Sequence, residues 1–263
     1  MNIRCTTEWT WVFARALPIT YGYYLENALT DVTTLKSSEP FFYFLNTDQI
    51  KSVDRVDSEG YDTSCYRHDF DPMRWSPKWT MPLIKDFYLD KHPIDSKKDI
   101  LVINNKYINE WDREKCYNFI DCTLLEQLIL KFQDIYDIYY IRYMGNDYND
   151  GYFDDQVTLD DGFNDYELLS KYTNVTTIYD VMKKYNYTFN EAQCVILANS
   201  NKHISVSGGT AVLSSLFKGT NIIYTPAVEG NKNSSRGIWN TDSWLTKLSG
   251  ATIHGVSDSK SLI

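Results

Sequence analysis

The segment Ser205-Val206-Ser207-Gly208-Gly209-Thr210 sets two glycines and three hydroxyl side chains between two apolar runs. If the first run is a strand and the second a helix, the glycines meet the helix's first turn. Backbone N–H groups there are unpaired and carry partial positive charge. A diphosphate can approach such a turn closely, and Thr210 adds a hydroxyl. The competing reading is a plain tight turn that needs positive φ. The segment is neither a Walker A loop, since no Gly-Lys-Ser/Thr follows, nor a GxGxxG fingerprint.

Other loops hold residues of matching chemistry. In Asn104-Asn105-Lys106-Tyr107-Ile108-Asn109-Glu110-Trp111, Lys106 can meet a phosphate, Tyr107 or Trp111 can stack on a base, and Glu110 can accept ribose hydroxyls. Arg142, before Tyr143-Met144-Gly145, suits a phosphate clamp or, equally, a pair with a carboxylate of the acidic stretch behind it. That stretch holds Asp147, Asp150, Asp154, Asp155, Asp160, Asp161 and Asp165. It has oxygen ligands for a divalent cation but no Asp-x-Asp, and it reads as a solvated loop. A general base for a hydroxyl acceptor has candidates in Asp69, His68 and Asp71, within Tyr66-Arg67-His68-Asp69-Phe70-Asp71-Pro72, and in Glu8 near the N-terminus. His203 beside an apolar run reads as structural.

The elements that must position these residues follow from periodicity. Strands are expected at residues 2–5, 41–45, 99–104, 136–143, 174–178, 202–207 and 221–225. Helices are expected at 21–29, 124–132, 189–199 with Asn190 as its cap, and 210–217. Residues 52–93 are rich in turn formers, and a linker falls near 91–98. Strand and helix alternate with crossovers long enough for parallel pairing, which predicts a doubly wound α/β fold. The glycine pair, Lys106 and Arg142 then fall on one edge, beyond the carboxyl ends of the strands.

Composition narrows the classes of partner. The chain has 263 residues, 43% of them hydrophobic, enough for a substantial core. A net charge of −9 with no basic stripe argues against nucleic-acid binding. Aromatics reach 15%, with 21 Tyr and 7 Trp, a supply of surfaces suited to sugar and base stacking. The five cysteines are widely spaced and form no CxxC, so free thiols are expected rather than disulfides or zinc. The first residues lack a signal-peptide pattern, and no run reaches the ~18 apolar residues of a membrane span. The sequons at Asn174, Asn186 and Asn233 then read as chance, and a cytoplasmic location is expected.

The runs Ile103-Asn104-Asn105-Lys106-Tyr107 through Glu110-Trp111, Tyr139-Tyr140-Ile141-Arg142, Phe189-Asn190-Glu191-Ala192-Gln193, Ile204-Ser205-Val206-Ser207-Gly208-Gly209 and Asn221-Ile222-Ile223-Tyr224 together resemble a known group. With Glu8 and the Trp75-Ser76-Pro77 neighbourhood, they are similar to small glycosyltransferases of large DNA viruses, the chloroviruses among them, and of some bacteria. The resemblance implies a GT-B-like fold, two Rossmann-like α/β domains with parallel sheets facing a cleft. Residues 1–95 would form the acceptor-side domain and 96–263 the nucleotide-sugar domain. It implies an inverting, metal-independent transfer from a nucleotide-sugar donor, UDP-sugar first, to a glycan acceptor, with no obligatory cofactor. Lys106, Tyr107, Glu110, Arg142, Ser207, Gly208, Gly209 and Thr210 would bind the donor; Asp69 or Glu8 would be the base. A chlorovirus-type enzyme would move xylose from UDP-xylose onto capsid glycans in the host cytoplasm. About 95 residues is short for a full Rossmann domain, which leaves the base open between those two. The alternatives are another transferase or a nucleotide-sugar hydrolase on the same scaffold, a metal-dependent enzyme of the other glycosyltransferase fold, and a non-catalytic carbohydrate-binding protein.

Overall fold

The computed structural model of the chain describes residues 1–6, 12–53, 80–107, 118–144, 163–226 and 241–263. Their strands form two sheets, and every neighbouring pair in both is parallel. Parallel neighbours need long crossovers, which the intervening helices supply.

The first sheet is β1 (Asn2–Cys5), β2 (Asp31–Leu35) and β3 (Ile50–Val53), in that order. A π-helical turn, Val12–Ala16, runs directly into α1 (Leu17–Leu25), which carries Pro18 in its first turn. The apolar run 41–45 is not the strand expected of it. Pro40 opens a 3₁₀ turn, Glu39–Phe42, whose Phe41 and Phe42 are fully buried. Phe13 meets Phe41 edge-on at 4.7 Å, so the run fills the core as a plug rather than pairing as a ladder.

The second sheet has the order β6-β5-β4-β7-β8-β9. Its strands are β4 (Ile100–Asn104), β5 (Asp137–Ile141), β6 (Val175–Thr177), β7 (Lys202–Val206), β8 (Thr220–Tyr224) and β9 (Thr252–Val256). Numbered within the sheet this is 3-2-1-4-5-6, the Rossmann order, with the winding reversing between β4 and β7. Successive side chains on a strand face opposite sides. Leu101, Ile103, Tyr140 and Ile204 point into a core with α3 (Cys122–Phe132) and α4 (Asp165–Leu169). Val102, Ile141 and Ile223 point into the other, with α5 (Ile178–Tyr185), α6 (Phe189–Ala198), α7 (Gly209–Leu216) and α8 (Trp244–Ser249). The doubly wound α/β architecture expected from the alternation is therefore present.

That second core continues without a break into Ile3, Leu17 and Phe41 of the first sheet's layer. The bridge is α2 (Ile84–Lys91), an eight-residue helix hidden among turn formers in the sequence. Lys85 Nζ donates to Ser200 O at 2.5 Å and Asn201 Oδ1 at 2.7 Å, and Tyr88 Oη donates to Pro40 O at 2.7 Å. The stretch expected as a linker is clasped by one side chain: Ile94 N donates to Asn199 Oδ1, and Asn199 Nδ2 donates to His92 O. The cap of α6 is Thr188, not Asn190. Thr188 and Glu191 form a capping box, while Asn190 Nδ2 reaches 2.8 Å to Ser37 O.

His203, on β7, is 1% exposed, and neither ring nitrogen has a hydrogen-bond partner among the described residues. Burial, with Lys85 nearby, lowers its pKa to about 3, so it is neutral in the fold. The unfolded chain takes up that proton near pH 6.5 and the folded chain does not. Stability from this group is thus full above pH 6.5 and lost as the pH falls from 6.5 toward 3, at up to about 1.4 kcal/mol per pH unit. Urea unfolding at pH 7 and pH 5.5 should show a smaller acid loss in His203→Leu than in the parent; equal losses would contradict the assignment.

Candidate functional site

Where the winding reverses, β4 and β7 leave the sheet side by side and their chains turn to opposite faces. Such a junction opens a crevice at the carboxyl edge. Asn104 ends β4 and pairs with Ser205 of β7, so Asn105 and Lys106 emerge beside Ser207 and Gly208.

The strand–Gly–Gly–helix reading holds. Ser207 extends the ladder, its N–H donating to Tyr224 O at 2.9 Å, and α7 starts at Gly209. Gly208 has φ +121° and ψ −151°, a conformation that residues with a Cβ rarely adopt. A Cβ built there would lie 2.9 Å from Lys106 Nζ. The ammonium group therefore lies directly over the turn that leads into α7. Among the described residues no side chain caps that helix, and its first N–H groups, on Gly209, Thr210 and Ala211, are those a helix start leaves without an intrahelical partner. The Thr210 hydroxyl donates to Val206 O at 2.7 Å, which engages its one proton within the fold.

Buried polar pairs seat α7 on the sheet. Asn104 Nδ2 donates to Ser214 Oγ at 3.0 Å, and Ser205 Oγ donates to Asn221 Oδ1 at 2.7 Å. Asn221 Nδ2 then donates to Ser215 Oγ at 2.9 Å and Ala211 O at 3.1 Å. The polarity of Ser205 and of Ser214-Ser215 is thereby accounted for: these side chains fix the helix against the strands.

Arg142 lies at the exit of β5, 6% exposed, with its guanidinium on Asp165, which is fully buried. Nε and Nη2 each donate to a different carboxylate oxygen. Asp165 also accepts from Tyr140 Oη at 2.5 Å. Burial alone would lower the Arg142 pKa; the hydrogen bonds and charge of Asp165 outweigh it and raise the pKa. The guanidinium also stands 5.2 Å from the Phe163 ring centroid and 5.1 Å from that of Tyr166. Of the two roles open to Arg142 in the sequence, the pair with a carboxylate is the one formed here.

The pair is the far end of a longer chain. Asn105 Nδ2 donates to Tyr140 Oη and to Ile120 O, both at 2.9 Å. Its Oδ1 accepts from the N–H groups of Ile120 and Lys106, again at 2.9 Å. One side-chain amide thus pairs with both main-chain groups of Ile120 and fixes the start of the Lys106 loop. Asn118 Nδ2 donates to Ser207 O at 2.7 Å, and Ser207 Oγ donates to Asn118 Oδ1 at 3.0 Å. Tyr107 stacks on Phe163 at 4.4 Å with an interplanar angle of 12°, and Phe119 meets both rings edge-on.

Lys106, Ser207, Gly208, Gly209 and Thr210 are therefore brought together, with Tyr107 beside them and Arg142 one strand away. Glu8, Asp69, Glu110, His68, Asp71 and Trp111 lie outside the described residues, as does the acidic stretch up to Asp161. Among the described residues no cluster of His, Cys, Asp or Glu could hold a metal ion. Cys5, Cys122 and Cys194 form no disulfide among the described residues, and no described helix is long and apolar enough to cross a membrane. Asn105, Asn118 and Asp165 escaped the sequence-based site, although Asn105 and Asp165 stood in stretches that drew notice.

No protein-family model matches the chain, and no curated protein matches it. Among solved structures, the wall teichoic acid polymerase TagF aligns at 11% identity and a TM-score of 0.34, over 82% of this chain and 44% of its own. TibC, an iron-containing dodecameric glycosyltransferase of enterotoxigenic E. coli, aligns at 12% identity and TM-score 0.45, over 86% and 57%. The E. coli ADP-heptose lps heptosyltransferase II aligns at 10% identity and TM-score 0.42, over 86% and 76%. The chain thus spans less than half of TagF and little more than half of TibC.

Removing one partner of a buried ion pair leaves an uncompensated charge. Asp165→Ala should destabilise the fold by about 3 kcal/mol or more in urea unfolding. A loss below about 1 kcal/mol, the scale of an exposed pair, would contradict the geometry.

Proposed function

We propose that the chain is a glycosyltransferase that binds the diphosphate of a nucleotide sugar at the junction of β4 and β7. The observation that carries this reading is the position of Lys106 Nζ over Gly208, at the uncapped start of α7. An ammonium and a set of helix N-terminal N–H groups on one spot form an anion seat. The seat lies at the crevice where Rossmann-type sheets hold nucleotides.

The chemistry asked of the seat is stabilisation of a leaving group. As the bond between the anomeric carbon and the diphosphate breaks, negative charge grows on the diphosphate. Donors already aimed at that charge lower the barrier without reorganising. Lys106 and the α7 N–H groups are such donors, and they do this without a metal. The acceptor hydroxyl loses its proton to a base, Asp69 or Glu8, and attacks the anomeric carbon in line, which inverts the centre. Arg142 enters as a positioning residue, holding Asp165 and through it Tyr140 and Asn105. Tyr107, beside the seat, supplies a face for the base. The GT-B-like division into an acceptor side, residues 1–95, and a donor side, 96–263, belongs to the same proposal. So does the choice of a UDP-sugar, with UDP-xylose the first donor to try and a glycan the acceptor.

Calorimetry with UDP, GDP and their sugars tests the reading. Binding is expected in the micromolar-to-millimolar range, and Lys106→Ala should weaken it on the order of tenfold or more. No binding at millimolar concentration would overturn it. Transfer should persist in EDTA; its abolition would overturn metal independence.

A further inference from the structure

We propose that Asn118 is a positioning residue that locks the Ser207–Gly208 peptide in the orientation the anion seat needs. This rests on the reading of the seat as a diphosphate site and adds a part to it.

The Ser207–Gly208 plane is weakly held on one side, because rotation about φ of Gly208 meets no Cβ. The peptide is planar and trans, so its C=O and N–H point to opposite sides. A flip of the Ser207–Gly208 plane would exchange the two, placing an oxygen where an N–H had been. The Gly208 N–H is the amide just ahead of the α7 donors on Gly209, Thr210 and Ala211, and an oxygen in its place would repel an anion held by them. Something must therefore hold this plane, and the neighbouring bonds do not. The Ser207 N–H is fixed to Tyr224 O, but it belongs to the preceding plane. Gly208 O accepts from Val212 N at 3.1 Å, but it belongs to the following one.

The Asn118 amide acts on the plane in question. Its Nδ2 donates to Ser207 O at 2.7 Å, which fixes the C=O and sends the Gly208 N–H the opposite way. Its Oδ1 accepts from the Ser207 hydroxyl at 3.0 Å, which fixes the amide's own orientation. Asn118 is 9% exposed, and it stands on a rigid support. Two residues on, Ile120 has both its N–H and its C=O bonded to the Asn105 side chain, and Ile120 is fully buried. Asn105 in turn holds the Lys106 N–H. The segment carrying Asn118 is thus tied to the β4 exit at one end and to the β7 exit at the other. The two halves of the seat, ammonium and helix start, are held in register by a pair of asparagines.

Asparagine is the residue type this needs, since it must donate and accept at once. That requirement supplies the test. Asn118→Asp keeps the volume and the acceptor for Ser207 Oγ. As a carboxylate it cannot donate to Ser207 O; protonated, it can. Affinity for UDP, GDP, ADP and CDP is measured by calorimetry between pH 8 and pH 5.5 for the parent, Asn118→Ala and Asn118→Asp. Unfolding temperatures are recorded alongside. With the nucleotide the parent binds best, Asn118→Ala should bind on the order of tenfold more weakly across the range. Asn118→Asp should be weaker still at pH 8 and recover toward the parent as the pH falls, after correction for the parent's own pH profile. A parent that binds, with both variants binding as well as it does at every pH, would overturn the lock and leave the site standing. A parent that binds none of the four would overturn the site and the lock together.

Discussion

Everything at the carboxyl edge depends on the pairing of β4 with β7. These strands are neighbours in the sheet, yet their crossover helices, α3 and α7, pack on opposite faces. At such a reversal of winding the chains part toward opposite faces, and open α/β sheets hold ligands in the crevice this leaves. The register of that one pair, Asn104 against Ser205, then decides which residues meet. A slip of one residue would send Asn104 to the wrong face and part it from Ser214. The contact of Lys106 with Gly208 is a consequence of the register, as is the reach of Asn118 to Ser207.

The edge is held by polar groups where a protein of this size would more often use apolar packing. From Arg142 through Asp165, Tyr140 and Asn105 to Ile120 and Lys106, each link is a hydrogen bond made by a buried side chain. Such a chain adds little net stability, because each group gave up water to join it. It does exclude alternatives: any shift of the loops strands a charge or an amide in a dry interior. The carboxylate of Asp165 can serve four donors, two from Arg142, one from Tyr140 and its neighbour Tyr166 N. Positional accuracy at loop ends is what charge stabilisation in a transition state asks for, since misplacement of about 1 Å is felt strongly.

Five of the six strands of the second sheet were legible because they are apolar and β-branched runs bounded by turn residues, as in Ile100–Asn104 and Thr220–Tyr224; the half-exposed β9, Thr252–Val256, was missed. The first sheet was harder. Asp31–Leu35 and Ile50–Val53 are short, half-buried and polar, while the more apolar run at Phe41 became a 3₁₀ plug. Local apolarity reports burial, and burial does not by itself say ladder or plug. The glycine pair was legible because strand, Gly-Gly and helix are adjacent in sequence. The asparagines were not. Asn118 finds Ser207 across 89 residues, and Asn105 finds Tyr140 across 35; a loop asparagine carries no periodicity that would announce such a contact. Arg142 was noticed as a cation, but only the fold shows that its partner, 23 residues away, is Asp165.

The central claim is a place: a diphosphate between the exits of β4 and β7. Crystals soaked with UDP-xylose and with other nucleotide sugars test it most directly. The account predicts diphosphate density within hydrogen-bond distance of Lys106 Nζ and the backbone N–H groups at the start of α7, with the base toward Tyr107. Nucleotide bound elsewhere on the chain, with Lys106 and Gly208 untouched, would contradict it.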